Sequence, residues 1–255
     1  MERRALTDGL HALVSEGLEA RGFLAAFTER AGGVSGPPYD SLNLAVHTGD
    51  RRPDVQENRG RAVSALGLHR FATAEQVHGS TVVRLGQTRG SRGWDEPQIE
   101  GADGLAVTRQ GLAVAVLTAD CLPIALGSPG EGMLVAVHAG WRGLAAGVID
   151  AALAVFDRPG GLHAAIGPAI GPCHYEVGED VALAVAAGSA SGAVTERRDG
   201  RLFLDLPGTA NRVLRAAGVR RIDRADLCTA CEEDRFFSYR RDGVTGRQAL
   251  VAVRL

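Results

Sequence analysis

Three residues able to ligate a metal or act as nucleophiles recur in one local setting, at the end of an apolar run and beside small residues. They are His78 in EQVHG, Cys121 in TADCLP and His138 in VHAGWRG. Two imidazoles and a thiolate suit zinc or copper better than magnesium or calcium, which want oxygen ligands. Zinc would stand about 2.0–2.3 Å from each donor, and three protein ligands leave a fourth position for water, as in catalytic zinc sites. The same residues support a second reading, with Cys121 as nucleophile and His138 as its base. Both require a thiolate, so residue type does not separate them. A third reading makes Cys121 a core thiol and the two histidines unrelated. Asp120 is set to orient an imidazole or to cap a turn.

A candidate anion holder follows His138 by four residues. Arg142 sits in the turn that feeds a helix, where exposed N–H groups and a guanidinium suit phosphate or carboxylate, or else it is a surface arginine. Gly140 and Gly143 bracket it and allow close approach to the backbone. Arg30 before Gly32-Gly33 repeats that chemistry, and Arg240 and Arg241 follow Phe236, Phe237 and Tyr239. The pair Cys228 and Cys231 has the CxxC spacing of half a structural zinc site or a redox couple, but no second CxxC and no thioredoxin-like context accompany it. Two incidental thiols explain it equally well.

The elements that must position these groups can be read from periodicity. Strands are expected at 22–28, 71–77, 81–85, 104–107, 112–117, 124–126, 134–137, 164–166, 201–206, 220–222 and 248–255. Helices are expected at 7–20, 53–66, 143–156, 178–187 and 207–217, with Pro53 in a first turn and Gly218 as a stop. The segment 86–101 is polar and glycine-bearing and reads as an exposed loop. Strands and helices mix without strict alternation. The expectation is one α+β domain over 1–255, with mixed β-sheets packed together and helices on the outside.

Composition narrows the function classes. At 255 residues, 45% hydrophobic and 23% charged, the chain can bury a substantial core. A formal net charge of −2 gives no electrostatic case for nucleic acid or an anionic membrane as partner. No apolar run is long enough to span a bilayer and no apolar core of a secretory signal stands near the start, so the expected compartment is the cytoplasm. The four cysteines then read as thiols or ligands, not as a disulfide framework.

Taken together, TERAGGVS, SLNLAVHTGD with a following ENR, EQVHG, GADGLAVT, LTADCLPI, VAVHAGWRG, AIGPAIGPCHYEVG, LDLPGTANRVL and CTACEEDRFFSYRRDGVTGRQ run in order from about Phe27 to Gln248. In these motifs the chain resembles the laccase-domain family, whose members also go by multicopper polyphenol oxidase-type proteins, purine nucleoside phosphorylases or peptidoglycan editing factors. The resemblance implies a mononuclear site with His78, Cys121 and His138 as zinc ligands, copper being the other candidate. It also implies phosphorolysis of adenosine, guanosine, inosine and methylthioadenosine, together with adenosine deamination. The partners would be a purine nucleoside and phosphate, and the enzyme a monomer or homodimer. Catalysis would then rest on Cys121, His138 and Arg142. Arg30, Arg142 and Arg240 would hold phosphate, Asn43 and His47 would contact ribose or base, and Gln76 and Asp120 would support the ligands. The alternative is a hydrolase editing cell-wall precursors with the same site; laccase chemistry would need more copper ligands than one three-donor site offers. Family members often carry a second cysteine after Cys173, where this chain has His174, so Cys173 and His174 read as loop structure and Cys231 as incidental.

Overall fold

In a computed structural model, which describes residues 1–86, 91, 92, 94, 99–158 and 161–255, the apolar runs pair into three sheets. In chain order the strands are β1 (Glu2–Ala5), β2 (His11–Val14), β3 (Phe23–Thr28), β4 (Arg70–Thr73), β5 (Val82–Arg84), β6 (Ser91–Arg92), β7 (Gly104–Val107) and β8 (Ala113–Thr118). There follow β9 (Leu122–Ser128), β10 (Met133–Ala139), β11 (His163–Ile166), β12 (Glu176–Val177), β13 (Thr195–Arg198), β14 (Arg201–Leu204), β15 (Arg221–Arg224) and β16 (Gln248–Arg254). The α-helices are α1 (Glu16–Glu19), α2 (Arg52–Ala65), α3 (Trp141–Ala145), α4 (Val148–Leu153), α5 (Glu179–Ala187), α6 (Leu206–Ala216) and α7 (Tyr239–Asp242).

The seven-stranded sheet has the order β1-β2-β3-β16-β8-β4-β6 and the six-stranded sheet β15-β11-β9-β10-β7-β5; β12-β14-β13 forms a small third sheet. Alternate residues of β10 show how the layers stack. Leu134 and Ala136 join Phe23, Phe27, Val114 and Leu250 of the seven-stranded sheet in one core. Val135 and Val137 point the other way, into a core shared with Leu144, Val148, Ile149 and Leu214 of the helices. The outer face of the seven-stranded sheet, including Phe71 and Val251, is covered by Leu42, Leu44, Trp94 and Ala62 of α2. The result is an α+β stack of helix, sheet, sheet and helices. A strand buried on both faces needs apolar residues at every position, which is why β10 reads MLVAVHA without alternation. Each Val or Leu so buried contributes roughly 1.5–3 kcal/mol.

Several elements differ from the sequence reading. The stretch 7–20 is not one helix: a 3-10 turn at Thr7–Gly9 leads into β2, which pairs with both β1 and β3, and only the turn α1 is helical. Pairing with a neighbouring edge outweighed a weak helical pattern already interrupted by two glycines. The helix expected at 143–156 is two helices, broken where Gly147 takes φ +77°. Strands β1 and β13, rich in charge and exposed, carry no apolar signal and went unread. Much of the loop expected at 86–101 lies outside the described residues. No helix among the described residues is long and apolar enough to cross a membrane.

The site follows from one crossing in this stack. β8 belongs to the seven-stranded sheet and β9 to the six-stranded sheet, so the chain passes between them at Ala119-Asp120-Cys121. Asp120 makes the turn with φ +90°.

Candidate metal centre and its cavity

β9 and β10 pair antiparallel with His138 opposite Pro123 and Ala139 opposite Leu122. Carried one residue further, that register sets Cys121 across from Gly140. The cysteine and histidine of the motifs TADC and HAG are therefore delivered to the same end of one hairpin. A Cβ at Gly140 would lie 3.0 Å from Cys121 Sγ and 3.1 Å from His78 Cδ2, so glycine there leaves the donors room. Gly140 meets this demand on the donor side of the turn that carries Arg142.

His78, Cys121 and His138 each bring one donor atom within 4.8 Å of the others. The two imidazoles meet edge to face with centroids 4.7 Å apart. Asp103, a buried residue just ahead of β7, organises them. Its carboxylate accepts from His138 Nδ1 at 2.7 Å and from the backbone N–H groups of Val77, His78 and Gly79 at 3.2, 2.9 and 2.6 Å. With Nδ1 donating to the carboxylate, His138 leaves Nε2 for a metal, which would displace the proton held there in its absence; a carboxylate on the far nitrogen orients a ligating histidine in this way. The backbone bonds hold the His78 turn, where His78 itself has φ +59°. Burial pushes the Asp103 carboxyl up, but the His138 ring and the Gly79 and Val77 N–H groups outweigh it and hold it below the usual range.

Electrostatics make Cys121 a thiolate. Burial alone would raise it, yet the neighbouring His138 and His78 bring it down to about 6. His138 is lowered by burial and raised more by Asp103 and Cys121, to about 9. A sulfur anion flanked by two imidazoles is a donor set that fits zinc or copper.

The three donors open into a cavity of about 810 Å³. Its other walls carry His47, Arg59, Arg247 and Tyr239, as well as Glu75 and Gln76. His47 is lowered by burial and then by Arg247 and Arg59, so it stands neutral beside two cations. Arg59 is anchored by Nε donating to Leu44 O at 2.9 Å, and Arg247 by Nη1 donating to Thr245 O and Gly246 O at 2.9 and 2.8 Å.

Of the remaining sequence-named residues, Gln76 lines the cavity and the others do not. Arg30 donates to the carbonyls of Asp40 and Glu233, both at 2.9 Å, and lines a separate cleft with Asp40, Glu233 and Asp242. Asn43 is fully buried and holds a loop together, donating to Ala45 O, Thr48 Oγ1 and Asp50 Oδ2 and accepting from the N–H of Arg247. It positions Arg247 and presents nothing to the cavity. Gln76 exchanges two 2.8 Å bonds with the backbone of Leu117. Asp120 does not touch an imidazole; Thr229 Oγ1 at 2.6 Å and the N–H of Arg240 at 2.7 Å donate to it. Asp103 does the orienting instead.

Arg142 is exposed and lies over its neighbour Trp141, 4.4 Å from the ring centroid, at the head of a helix of only five residues. Arg240 stands 5.0 Å over the Tyr175 ring. Burial and then the nearby Cys121 push Tyr175 up to about 12. Asp103, Arg59 and Arg247 were missed as site residues, although GADG, ENR and TGR were visible as motifs. A second gathering was also missed: Cys173, His174, Cys228 and Cys231, read in the sequence as loop structure and incidental thiols, bring their donor atoms together.

Known proteins are similar to this chain in sequence and in fold. Residues 24–254 match the family described as multi-copper polyphenol oxidoreductase laccase. Purine nucleoside phosphorylase YfiH of Escherichia coli (strain K12) is 40% identical over 241 residues, covering 93% of this chain and 96% of its own. A purine nucleoside phosphorylase of Deinococcus radiodurans is 42% identical over 229 residues, covering 87% and 85%. The crystal structure of YlmD from Geobacillus stearothermophilus superposes with a TM-score of 0.85 at 36% identity, over 91% of this chain and 92% of that one. With most of its length matched in sequence and in fold, the chain belongs to the multi-copper polyphenol oxidoreductase laccase family.

Proposed function

We propose that this chain, acting as one domain over 1–255, is a zinc-dependent purine nucleoside phosphorylase for adenosine, guanosine, inosine and methylthioadenosine, with adenosine deaminase activity. The observation that carries the reading is a three-donor centre, His78, Cys121 and His138, opening into a cavity that also holds two anchored arginines. Relatives at about 40% identity that carry the name purine nucleoside phosphorylase support it.

In phosphorolysis an oxygen of phosphate forms a bond to the ribose C1′ as the bond from C1′ to the purine nitrogen breaks, and the electron pair leaves with the base. Arg247 and Arg59 hold the phosphate dianion by charge and hydrogen bonding. Neutral His47 adds a hydrogen bond without a third positive charge. The Tyr239 ring, exposed at the cavity wall, offers a face on which a purine stacks. Glu75 and Glu100 on the same cavity wall offer acceptors for ribose hydroxyls. Asp103 keeps His138 oriented, and Arg142 and Arg240, around Tyr175, guide anions toward the centre. Zinc bound by the three donors supplies Lewis acidity at neutral pH, which deamination needs for its water.

The test is direct. Purified protein is incubated with adenosine, with and without phosphate, and the products are separated. Adenine and ribose-1-phosphate that form only with phosphate, plus inosine that forms without it, are expected. Release of neither, alongside turnover of a mis-charged muramoyl precursor, would overturn the reading in favour of cell-wall editing.

A further inference from the structure

Two loops far apart in sequence bring four donors to one point on the surface. Cys173, His174, Cys228 and Cys231 each place a ligand atom within 4.8 Å of the others. Three of the six separations come close to a tetrahedron's edges. Metal–sulfur bonds of about 2.3 Å and a metal–nitrogen bond of about 2.0 Å at tetrahedral angles set S···S near about 3.8 Å and S···N near about 3.5 Å. Here Cys173 Sγ is 3.5 Å from Cys231 Sγ, and His174 Nδ1 is 3.4 Å from Cys231 Sγ and 3.9 Å from Cys228 Sγ.

The backbone is shaped around the same point. Cys231 and Glu232 donate their N–H groups to Cys228 O at 3.1 and 3.0 Å, a turn that brings both CxxC sulfurs to one side. Gly171 donates its N–H to Cys228 Sγ at 3.2 Å. A Cβ on Gly171 would sit 3.3 Å from both Cys173 Sγ and Cys228 Cβ, so a side chain there would crowd the donors. Arg198 donates to Pro172 O, and Arg241 Nη1 to Thr229 O at 3.0 Å. These bonds tie down the residues that flank Cys173 and Cys228.

We propose that Cys173, His174, Cys228 and Cys231 form a second, structural metal centre that binds zinc in a closed tetrahedron. Three thiols with one imidazole are a zinc ligand set, whereas any disulfide among them leaves one sulfur over. All four positions are filled by protein, so this centre fastens structure and has no open place for substrate. What it fastens is the wall of the first site. Cys228 precedes Thr229, whose hydroxyl bonds Asp120, and Asp120 precedes Cys121. Ala169, on the strand side of the first loop, bridges to Cys228 in parallel.

Metal analysis of protein purified without added metal tests this. Cys173→Ser and Cys231→Ser should each hold one zinc fewer per chain than wild type, while Cys121→Ser keeps the second zinc; failure here therefore leaves the phosphorylase reading standing. Should the serine variants not fold, cobalt(II)-loaded wild type answers instead. Its sulfur-to-cobalt charge-transfer band should have the intensity of four thiolates per chain, against one if Cys121 alone binds. Equal zinc in wild type and Cys231→Ser, a one-thiolate cobalt spectrum, or two of the four thiols missing from unreduced, denatured protein would overturn the proposal.

Discussion

The two Cys/His clusters are built in opposite ways. Cys121 and His138 stand at strand ends and His78 in a turn bonded to Asp103, one ring tied to that buried carboxylate, and the three face a cavity. Cys173, His174, Cys228 and Cys231 stand on two loops at the surface, with backbone N–H and glycine around the sulfurs. Three donors beside a cavity leave room for a reactant; four donors at the surface leave none. Donor count and surroundings, more than donor type, separate a centre that does chemistry from one that fastens a loop.

The comparison can be broken at its strongest point first. Cys121→Ser or His138→Ala should reduce turnover to background, a loss of more than about 100-fold, since removing a ligand exceeds the 10–100-fold typical of removing a ligand's support. Steady-state rates with zinc content measured in parallel check this. Next comes chelation: titration with a chelator should take metal from the three-donor site first, so activity should be lost before the melting temperature moves. Loss of both together would erase the distinction between the clusters. Asp103→Asn should weaken zinc at the first centre by about 10–100-fold and leave the second unchanged, read by competition with a chromophoric chelator.

A smaller effect is expected at Gly140. Gly140→Ala puts a methyl 3.0 Å from Cys121 Sγ, so the donors must shift by a few tenths of an ångström. Zinc affinity should fall several-fold, less than for Asp103→Asn, because no hydrogen bond is lost. The smallest effect concerns stability alone, away from both clusters. Glu29 is buried between Arg3 and Arg235, at 2.9 and 2.7 Å. Burial raises its pKa, but the two arginines outweigh that and hold it below the usual range. A depressed folded-state pKa stabilises above the unfolded value of about 4.3 and is lost as pH falls through the folded one. Wild type should therefore exceed Glu29→Gln by about 1–3 kcal/mol near neutrality, and the gap should close in acid, with zinc content the same in both. Denaturant melts at pH 7 and pH 3 measure it.

Much of the first centre was legible because its residues announce themselves locally. Unbroken apolar runs at 124–126 and 134–137, bounded by turn residues, fit doubly buried strands, and His138 and Cys121 mark where those runs meet polar chain. The supporting residues were less legible. Arg30, Arg142 and Arg240 look alike in sequence to Arg59 and Arg247, being arginines in loops or helices near glycine or polar residues. Only packing shows that Arg30 is held by Asp40 and Glu233 while Arg247, set by the buried amide of Asn43, faces the cavity. The elements misread, 7–20 and 143–156, are those where an edge pairing or a single left-handed glycine overrode a helical pattern.

The sequence by itself determined the chemistry on offer: which donors exist, that apolar strands end at them, and that the chain is an α+β protein of mixed sheets. Tertiary structure alone decided which donors share a point. Asp103 reaches His138 across 35 residues, and Gly171 reaches Cys228 across 57, through sheet register and loop packing that no local spacing encodes. Side-chain type is a property of one residue, whereas a site is a set of distances. Distances between segments far apart in the chain are set only when the whole core closes.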